Sequence, residues 1–322
     1  MKPYAVGIDL GGTNIKGGVI GRDGTVVLKK SIKTEPDGGV EHVIQRIAGL
    51  VEDLVAEGET DKAEIAGVCV GSPGPLDSRT GVIFDAPNLH WLDVPLGDLL
   101  EPLVGMPVFI ENDANAAAYG EAWVGAARDS KCTILLTLGT GIGGGIVING
   151  ELWRGVTDTA AELGHMVIKY DGPVCGCGSR GCIEACASAP AVARRMKEAV
   201  ESGRGSSLKG RILAGEEVDS KMIYEAAVAG DALSQEVMEE TGRLLGIAVA
   251  NFVNIFNPDY VVLHGGMVKA GEMLLGPLRE EMAGRCFGAA RRGLKILPSA
   301  LKGDAGIVGA AGCAFQRAKD SS

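Results

Sequence analysis

The sequence predicts an α/β protein in which strands alternate with helices along most of the chain. Apolar, β-branched runs bounded by glycine predict strands such as "YAVGIDL" and "TILLTLG". Helical periodicity from Val40 to Val55 predicts a helix that ends near Gly58, and "ALSQEVMEETGRLLGIAVANFVNIF" predicts a longer one ended by Asn257-Pro258. With 322 residues, the chain is long enough for two such domains.

Two segments share one design, a strand followed by a glycine turn and a second strand. "YAVGIDLGGTNIKGGVI" shows it first and "ILLTLGTGIGGGIVI" repeats it. This repetition predicts two halves that each open with a β-hairpin. At one constant offset, the matched pairs are Leu10-Gly11 with Leu138-Gly139, and Val19-Ile20 with Val147-Ile148.

Composition and charge narrow the functional class. A hydrophobic content of 46% with 22% charged residues is typical of a globular protein rather than a disordered one. The net charge of -10 disfavours a nucleic-acid-binding surface, so we expect no nucleic-acid partner. The start "MKPYAVGIDL" has no signal-peptide pattern, and the longest uncharged stretch, 132–150, reads as strands and a turn. We therefore expect a cytoplasmic protein with no membrane partner.

The first glycine turn, "DLGGTNIK", has the chemistry of a phosphate-binding loop. Glycines let backbone N–H groups approach an anion, and neighbouring polar side chains add donors. The pattern alone fits a plain hairpin equally well, and Asp9 could either assist a Mg²⁺ ion through water or cap the turn. The candidate residues of this turn are Asp9, Gly11, Gly12, Thr13, Asn14 and Lys16.

The second glycine turn satisfies GxGxxG, but it does not predict a dinucleotide-binding fold. That fold requires a helix directly after the glycines, whereas a hairpin signal at Asn149-Gly150 follows here. A P-loop is excluded because GxxxxGK[ST] is missing. With a third turn after "DYVVLH", the pattern favours a nucleotide gripped by several turns between two domains. The further candidates are Gly139, Thr140, Gly141, Gly143, Gly144, Gly265 and Gly266.

"ENDANAAA" places Glu111, Asn112 and Asp113 where a strand becomes an alanine-rich helix. Asp113 could be the N-cap of that helix. It could equally be a general base that accepts a proton from a substrate hydroxyl during phosphoryl transfer. The residues alone leave both interpretations open.

The segment 164–186 carries a cysteine cluster with metal-ligand spacing. Cys175, Cys177 and Cys182 form CxCxxxxC, and His165 precedes them. Three thiolates and an imidazole make a closed tetrahedral set for Zn²⁺, which favours a structural metal over a catalytic one. Thiol redox chemistry lacks its usual CxxC spacing here, and a four-cysteine site that uses Cys186 instead of His165 stays open.

The motifs together resemble the ROK family of sugar kinases and repressors over nearly the whole chain. They include "GIDLGGTNIKGGVI", "GSPGPLD", "APNLHW", "ENDANAAAYGE", "LTLGTGIGGGIVINGELWRG", "AELGHM", "CGCGSRGCIEACAS", "NPDYVVLHGG" and "GDAGIVGAA". The resemblance implies a two-domain hexokinase/actin-like (ribonuclease H-like) fold with an interdomain cleft. We expect a small domain of residues 1–112 plus 304–322, and a large one of 113–303 that carries the zinc site.

The resemblance also implies roles for the candidate residues. Asp113 corresponds to the catalytic base, the glycine turns and their polar neighbours to the ATP site, and Mg²⁺ to the ion that neutralises the phosphates. His165, Cys175, Cys177 and Cys182 correspond to the ligands of a structural Zn²⁺, with Cys186 outside the set. The residues implied to bind the sugar are Asn88, Asn112, Asp113, Glu162, His165 and Glu184.

Within the family, the chain is most similar to bacterial-type glucokinases, which implies transfer of the γ-phosphoryl group of ATP to glucose. Alternatives are a ROK kinase for fructose, mannose or N-acetylmannosamine, and a sugar-responsive transcriptional regulator. Regulators of the family carry an added N-terminal DNA-binding domain, whereas the first predicted strand of this chain starts at Tyr4. The resemblance also implies a homodimer or homotetramer.

Overall fold

The structure is a computed structural model that describes residues 1–320; the last two residues of the predicted segment 304–322 lie outside them. The chain divides into two compact units. The first comprises Met1–Leu135, Gly145–Ala161 and the segment from Ser299, and the second Leu136–Gly144 and Glu162–Pro298. The predicted domain bounds place residues 113–135, 145–161 and 299–303 in the large domain instead, and they stay a prediction.

Strands and helices follow one another as the sequence patterns predict. The strands are β1 (Tyr4–Leu10), β2 (Asn14–Gly21), β3 (Val26–Lys33), β4 (Ile65–Ser72), β5 (Leu76–Asp77), β6 (Val82–Ala86), β7 (Trp91–Pro95), β8 (Val108–Asn112), β9 (Cys132–Leu138), β10 (Ile142–Ile148), β11 (Glu151–Leu152), β12 (Tyr260–His264) and β13 (Lys295–Pro298). The helices are α1 (Gly39–Glu57), α2 (Leu96–Val104), α3 (Asp113–Trp123), α4 (Ile183–Ala187), α5 (Ala189–Glu201), α6 (Lys209–Leu213), α7 (Ser220–Val228), α8 (Ala232–Phe256), α9 (Glu272–Arg285) and α10 (Ala305–Asp320).

The first unit is built on a sheet of strand order β3-β2-β1-β4-β8. β1, β2 and β3 pair antiparallel, while β4 runs parallel to both β1 and β8. The apolar face of α1, including Ile47, Leu50 and Leu54, joins Ile8 and Val19 of the sheet in one buried core. The carboxyl ends of β1, β4 and β8 therefore point to the same edge of this sheet.

α10 packs very closely on β1, because glycine removes the intervening side chains. A Cβ on Gly7 would lie 1.8 Å from the carbonyl oxygen of Ile307. Gly309 shows the same closeness to α3, since its Cβ would lie 1.6 Å from the carbonyl oxygen of Ala116. These contacts fix α10 and α3 within the first unit.

The second large sheet has the strand order β11-β10-β9-β12-β13, and the boundary between the units falls within β9 and β10. It repeats the plan of the first sheet, a hairpin flanked by a parallel pair such as β12 and β13. The predicted hairpin at Asn149-Gly150 is confirmed, with φ of 54° and 82° joining β10 to β11.

The predicted α/β class is confirmed in detail. α1 ends at Glu57 with Gly58 as its C-cap, and α8 ends at Phe256 with Asn257 in the left-handed region before Pro258. β10 begins at Ile142, inside the GxGxxG sequence, so a strand stands where a Rossmann fold would have a helix. Within residues 1–320, no helix is both long and apolar enough to span a bilayer.

Candidate functional site

The first glycine turn joins β1 to β2 in the first unit. Thr34, just after β3, holds it from behind: its hydroxyl donates to the carbonyl oxygen of Gly11 at 2.5 Å, and its N–H to that of Thr13 at 3.0 Å. A Cβ on Gly12 would lie 3.0 Å from the Cβ of Asn88. The turn therefore lies beside one of the predicted sugar-binding residues.

Asp9 stands near the end of β1 with its carboxylate partly exposed, 3.8 Å from the Nζ atom of Lys16. The start of α10 leaves room for it, since a Cβ on Gly306 would lie 2.9 Å from the Cγ of Asp9. A carboxylate oxygen is a suitable partner for Mg²⁺ or its bound water. The surroundings of Asp9 thus fit the predicted role.

Asn112 and Asp113 lie at the junction of β8 and α3, and their side chains have different roles there. Asn112 is the N-cap: its Oδ1 accepts from the N–H groups of Ala114 at 3.0 Å and Asn115 at 3.1 Å. The alternative in which Asp113 is the cap is therefore wrong. Asp113 occupies the first turn of α3, where its Oδ1 accepts from the N–H of Ala114 at 2.8 Å.

Glu111 precedes this pair and is almost completely buried, at 1% exposure. Its carboxylate accepts from Arg154 Nε at 2.8 Å and Asn115 Nδ2 at 3.1 Å, and it lies 3.5 Å from Arg317. Sequence reasoning gave Glu111 no role, although a charged residue at the end of a buried strand is a signal that needs explanation. It ties the residues before and after Asn112 to α10 and to the segment that follows β11.

The second glycine turn, Gly139–Gly144, belongs to the second unit. The N–H of Gly139 donates to the carbonyl oxygen of Gly141 at 3.0 Å, and that of Gly143 to the Thr137 hydroxyl at 2.9 Å. Gly139, Gly141 and Gly143 are partly exposed, whereas Gly144 is buried within β10. The exposed part of the turn is available to a ligand.

This turn and Gly266 line one cavity of about 410 Å³ in the second unit. Gly265 lies against the end of β9, because a Cβ there would be 2.4 Å from the carbonyl oxygen of Leu138, and its φ is 108°. Most of the lining was missed from the sequence, since it lies on helices without a recognisable motif. The lining residues outside the predicted set are Ala189, Ser220, Lys221, Tyr224, Glu225, Met238, Met267, Lys269 and Ala270.

The predicted metal ligands come together. One ligand atom from each of His165, Cys175, Cys177 and Cys182 lies within 4.8 Å of all the others. The Sγ atoms of Cys177 and Cys182 are 3.8 Å apart, and Cys175 Sγ is 3.6 Å from His165 Nδ1. Around a tetrahedral Zn²⁺ with Zn–S bonds of about 2.3 Å, sulfur atoms are about 3.8 Å apart. The four residues can therefore hold a metal ion of this kind.

The thiols of the cluster differ in their environment. Burial raises the pKa of Cys175 to about 12 and also raises the pKa of Cys182, while the backbone N–H of Ser179 lowers the pKa of Cys177. A bound cation stabilises the thiolate form of such ligands. Cys186 is buried on α4 and lies outside the four-residue group.

Two other residues of the predicted sugar set, Glu162 and Glu184, lie next to this cluster in the second unit. Glu162 Oε2 lies 4.0 Å from His165 Nε2, the ring nitrogen opposite the one that faces Cys175. Glu184, on α4, directs Oε2 to the N–H of Ile142 at 3.0 Å. By contrast, Asn88, Asn112 and Asp113 belong to the first unit.

The family model described as "ROK family" matches residues 5–317. The chain is 40% identical to a glucokinase of Thermotoga maritima over 97% of both chains. It is also 34% identical to a putative xylose repressor of Caldicellulosiruptor sp., covering 94% of this chain and 76% of that protein.

Among solved structures, one similar to this chain is a ROK family glucokinase from Streptomyces griseus in complex with glucose and AMPPNP. The TM-score is 0.81 at 35% identity, and the match covers 97% of this chain and 99% of the other.

Proposed function

The chain belongs to the ROK family, and on that premise we propose that it is a glucokinase that transfers the γ-phosphoryl group of ATP to the 6-hydroxyl of glucose. The observation that carries the proposal is the nearly full-length similarity to a protein solved with both glucose and an ATP analogue. The 40% identity to a second glucokinase supports glucose as the acceptor.

Asp113 is the proposed general base. Its carboxylate lies at the first turn of α3, where Asn112 and not Asp113 is the N-cap residue. The buried Glu111, paired with Arg154 and Arg317, supports the backbone on which Asn112 and Asp113 stand. Asp113 would accept the proton of the sugar hydroxyl as that oxygen attacks the γ-phosphorus.

We assign the sugar to Asn88, Asn112, Glu162, His165 and Glu184 together with Asp113. A hexose presents several hydroxyls that need hydrogen-bond partners once water is lost, and this set offers amides, carboxylates and an imidazole. His165 contributes Nε2, because its Nδ1 faces the cysteine cluster.

The nucleotide is assigned to the glycine turns and to the 410 Å³ cavity lined by Gly139, Thr140 and Gly266. Backbone N–H groups of the turns would hold the phosphates, and apolar and aromatic lining side chains such as Tyr224 and Met238 suit the nucleoside. Mg²⁺, held through Asp9, would neutralise phosphate charge. Zn²⁺, held by His165 and the three cysteines, would act structurally by orienting the imidazole.

A coupled assay over a panel of hexoses tests the proposal. We expect the highest kcat/KM with glucose and ATP, compared with fructose, mannose and N-acetylmannosamine as acceptors and with ADP and polyphosphate as donors. A higher value for another hexose would transfer the proposal to that sugar. Sugar binding without phosphoryl transfer from any donor would instead favour the regulator, which the repressor relative keeps as the second candidate.

The homodimer or homotetramer and the cytoplasmic location stay predictions. Light scattering after gel filtration measures the first directly.

A further inference from the structure

Glu184 has a contact that its place in the sugar set does not explain. It lies two residues after the metal-cluster ligand Cys182, yet its Oε2 accepts a hydrogen bond from the N–H of Ile142 at 3.0 Å. Ile142 opens β10 and is part of the second glycine turn. The carboxylate therefore holds the backbone of the turn assigned to the nucleotide phosphates.

The packing around this hydrogen bond is tight. A Cβ on Gly141 would lie 2.6 Å from Glu184 Oε2, so the carboxylate rests directly on the turn. On the metal-cluster side, Cys175 Sγ lies 3.6 Å from the other carboxylate oxygen, Oε1. Glu184 thus contacts the glycine turn through Oε2 and the cysteine loop through Oε1.

A second contact from the same region reaches the same residue of the turn. A Cβ on Gly164 would lie 1.7 Å from the carbonyl oxygen of Ile142, so the backbone next to His165 packs on it. Ile142 therefore donates its N–H to Glu184, and its carbonyl oxygen packs against the backbone of Gly164. The segment before the metal cluster, at Gly164, and the segment after it, at Glu184, therefore both contact the turn.

We propose that Glu184 is a positioning residue for the nucleotide, which it serves by fixing the turn Gly139–Gly144 before the phosphates bind. The inference rests on the proposed function, in which this turn binds those phosphates. A glycine-rich turn loses much conformational freedom on ordering, and a turn that is already ordered in the free protein binds its ligand more tightly. A carboxylate has further acceptor sites, so the same residue can still meet a sugar hydroxyl.

The test is the Kd of Mg·ADP, measured by calorimetry without sugar. Glu184→Ala is expected to weaken binding about tenfold, the effect of one hydrogen bond worth about 1.4 kcal/mol. Glu184→Gln keeps an oxygen that can accept from Ile142 and should stay close to the wild type. Glu162→Ala should weaken glucose binding but not ADP binding, and exposed Glu201→Ala on α5 serves as the matched control.

A second variant guards against a folding defect in Glu184→Ala. Gly141→Ala leaves Glu184 intact but crowds its contact, so it should also weaken ADP binding, and the double variant should bind no more weakly than Glu184→Ala alone. Wild-type ADP affinity in Glu184→Ala, or additive losses in the double variant, would overturn the inference. A wild-type protein that binds no nucleotide would overturn the proposed function and this inference with it.

Discussion

Asn112 and Asp113 are adjacent in sequence but occupy different positions at the N-terminus of α3. An N-cap needs an extended backbone, and Asn112 has it, with φ of -67° and ψ of 143°. Asp113 is already the first residue of α3, so its carboxylate is not required to cap the N-terminus of the helix. This separation allows a substitution that tests the base without removing the cap.

Asp113→Asn is expected to lower kcat by about 10² to 10⁴, because an amide cannot accept the hydroxyl proton. The cap of Asn112 is untouched, so glucose affinity and the melting temperature should change little. Steady-state kinetics and calorimetric glucose binding measure the two effects. Near-wild-type kcat in a folded variant would remove Asp113 from its proposed role.

The cysteines near the cluster offer a second test at single residues. Cys175→Ser should lose the metal, whereas Cys186→Ser should retain about one Zn²⁺ per chain, because Cys186 lies outside the group of four ligand atoms. Elemental analysis of the purified variants decides between them. Loss of zinc in Cys186→Ser with retention in Cys175→Ser would point to a different ligand set.

At the scale of elements, glycines set how closely the helices approach one another. Gly309 of α10 and Gly120 of α3 face each other, and a Cβ on Gly120 would lie 2.9 Å from the N atom of Gly309. Such contact between backbones leaves no volume for a methyl group. The family motif that contains Gly309, "GDAGIVGAA", therefore has a packing role in addition to the contact of Gly306 with Asp9.

Gly309→Ala is expected to destabilise the protein by about 1–3 kcal/mol or more, because α10 or α3 must shift. Gly284→Ala, in α9, has no atom within 4 Å of the added Cβ and should be neutral or stabilising by about 0.4–1 kcal/mol. Urea unfolding midpoints compare the pair. Equal stability of the two variants would contradict the close packing.

For the whole molecule, local pattern predicted much of the fold. Apolar runs, glycine punctuation and helical periodicity are properties of neighbouring residues, so they identified the α/β class, the ends of α1 and α8, and the hairpin that excluded a Rossmann helix. The repeated strand–turn–strand pattern likewise anticipated the plan shared by the two large sheets. CxCxxxxC with an upstream histidine predicted the metal-ligand group, because most of its members lie close in sequence.

Sequence patterns could not predict contacts between residues that lie far apart in the chain. Glu111 pairs with Arg154 and Arg317, and Glu184 holds Ile142, across separations that no periodicity encodes. The helical lining of the 410 Å³ cavity was missed for the same reason.

The sequence by itself determined the family, the order of elements and the residue types available for phosphoryl transfer and metal binding. Only the tertiary structure decided which of Asn112 and Asp113 caps the helix, and that Glu184 braces a glycine turn. The physical reason is that composition and spacing record which groups a segment offers, whereas hydrogen bonds depend on distances and angles that exist only once distant segments have packed.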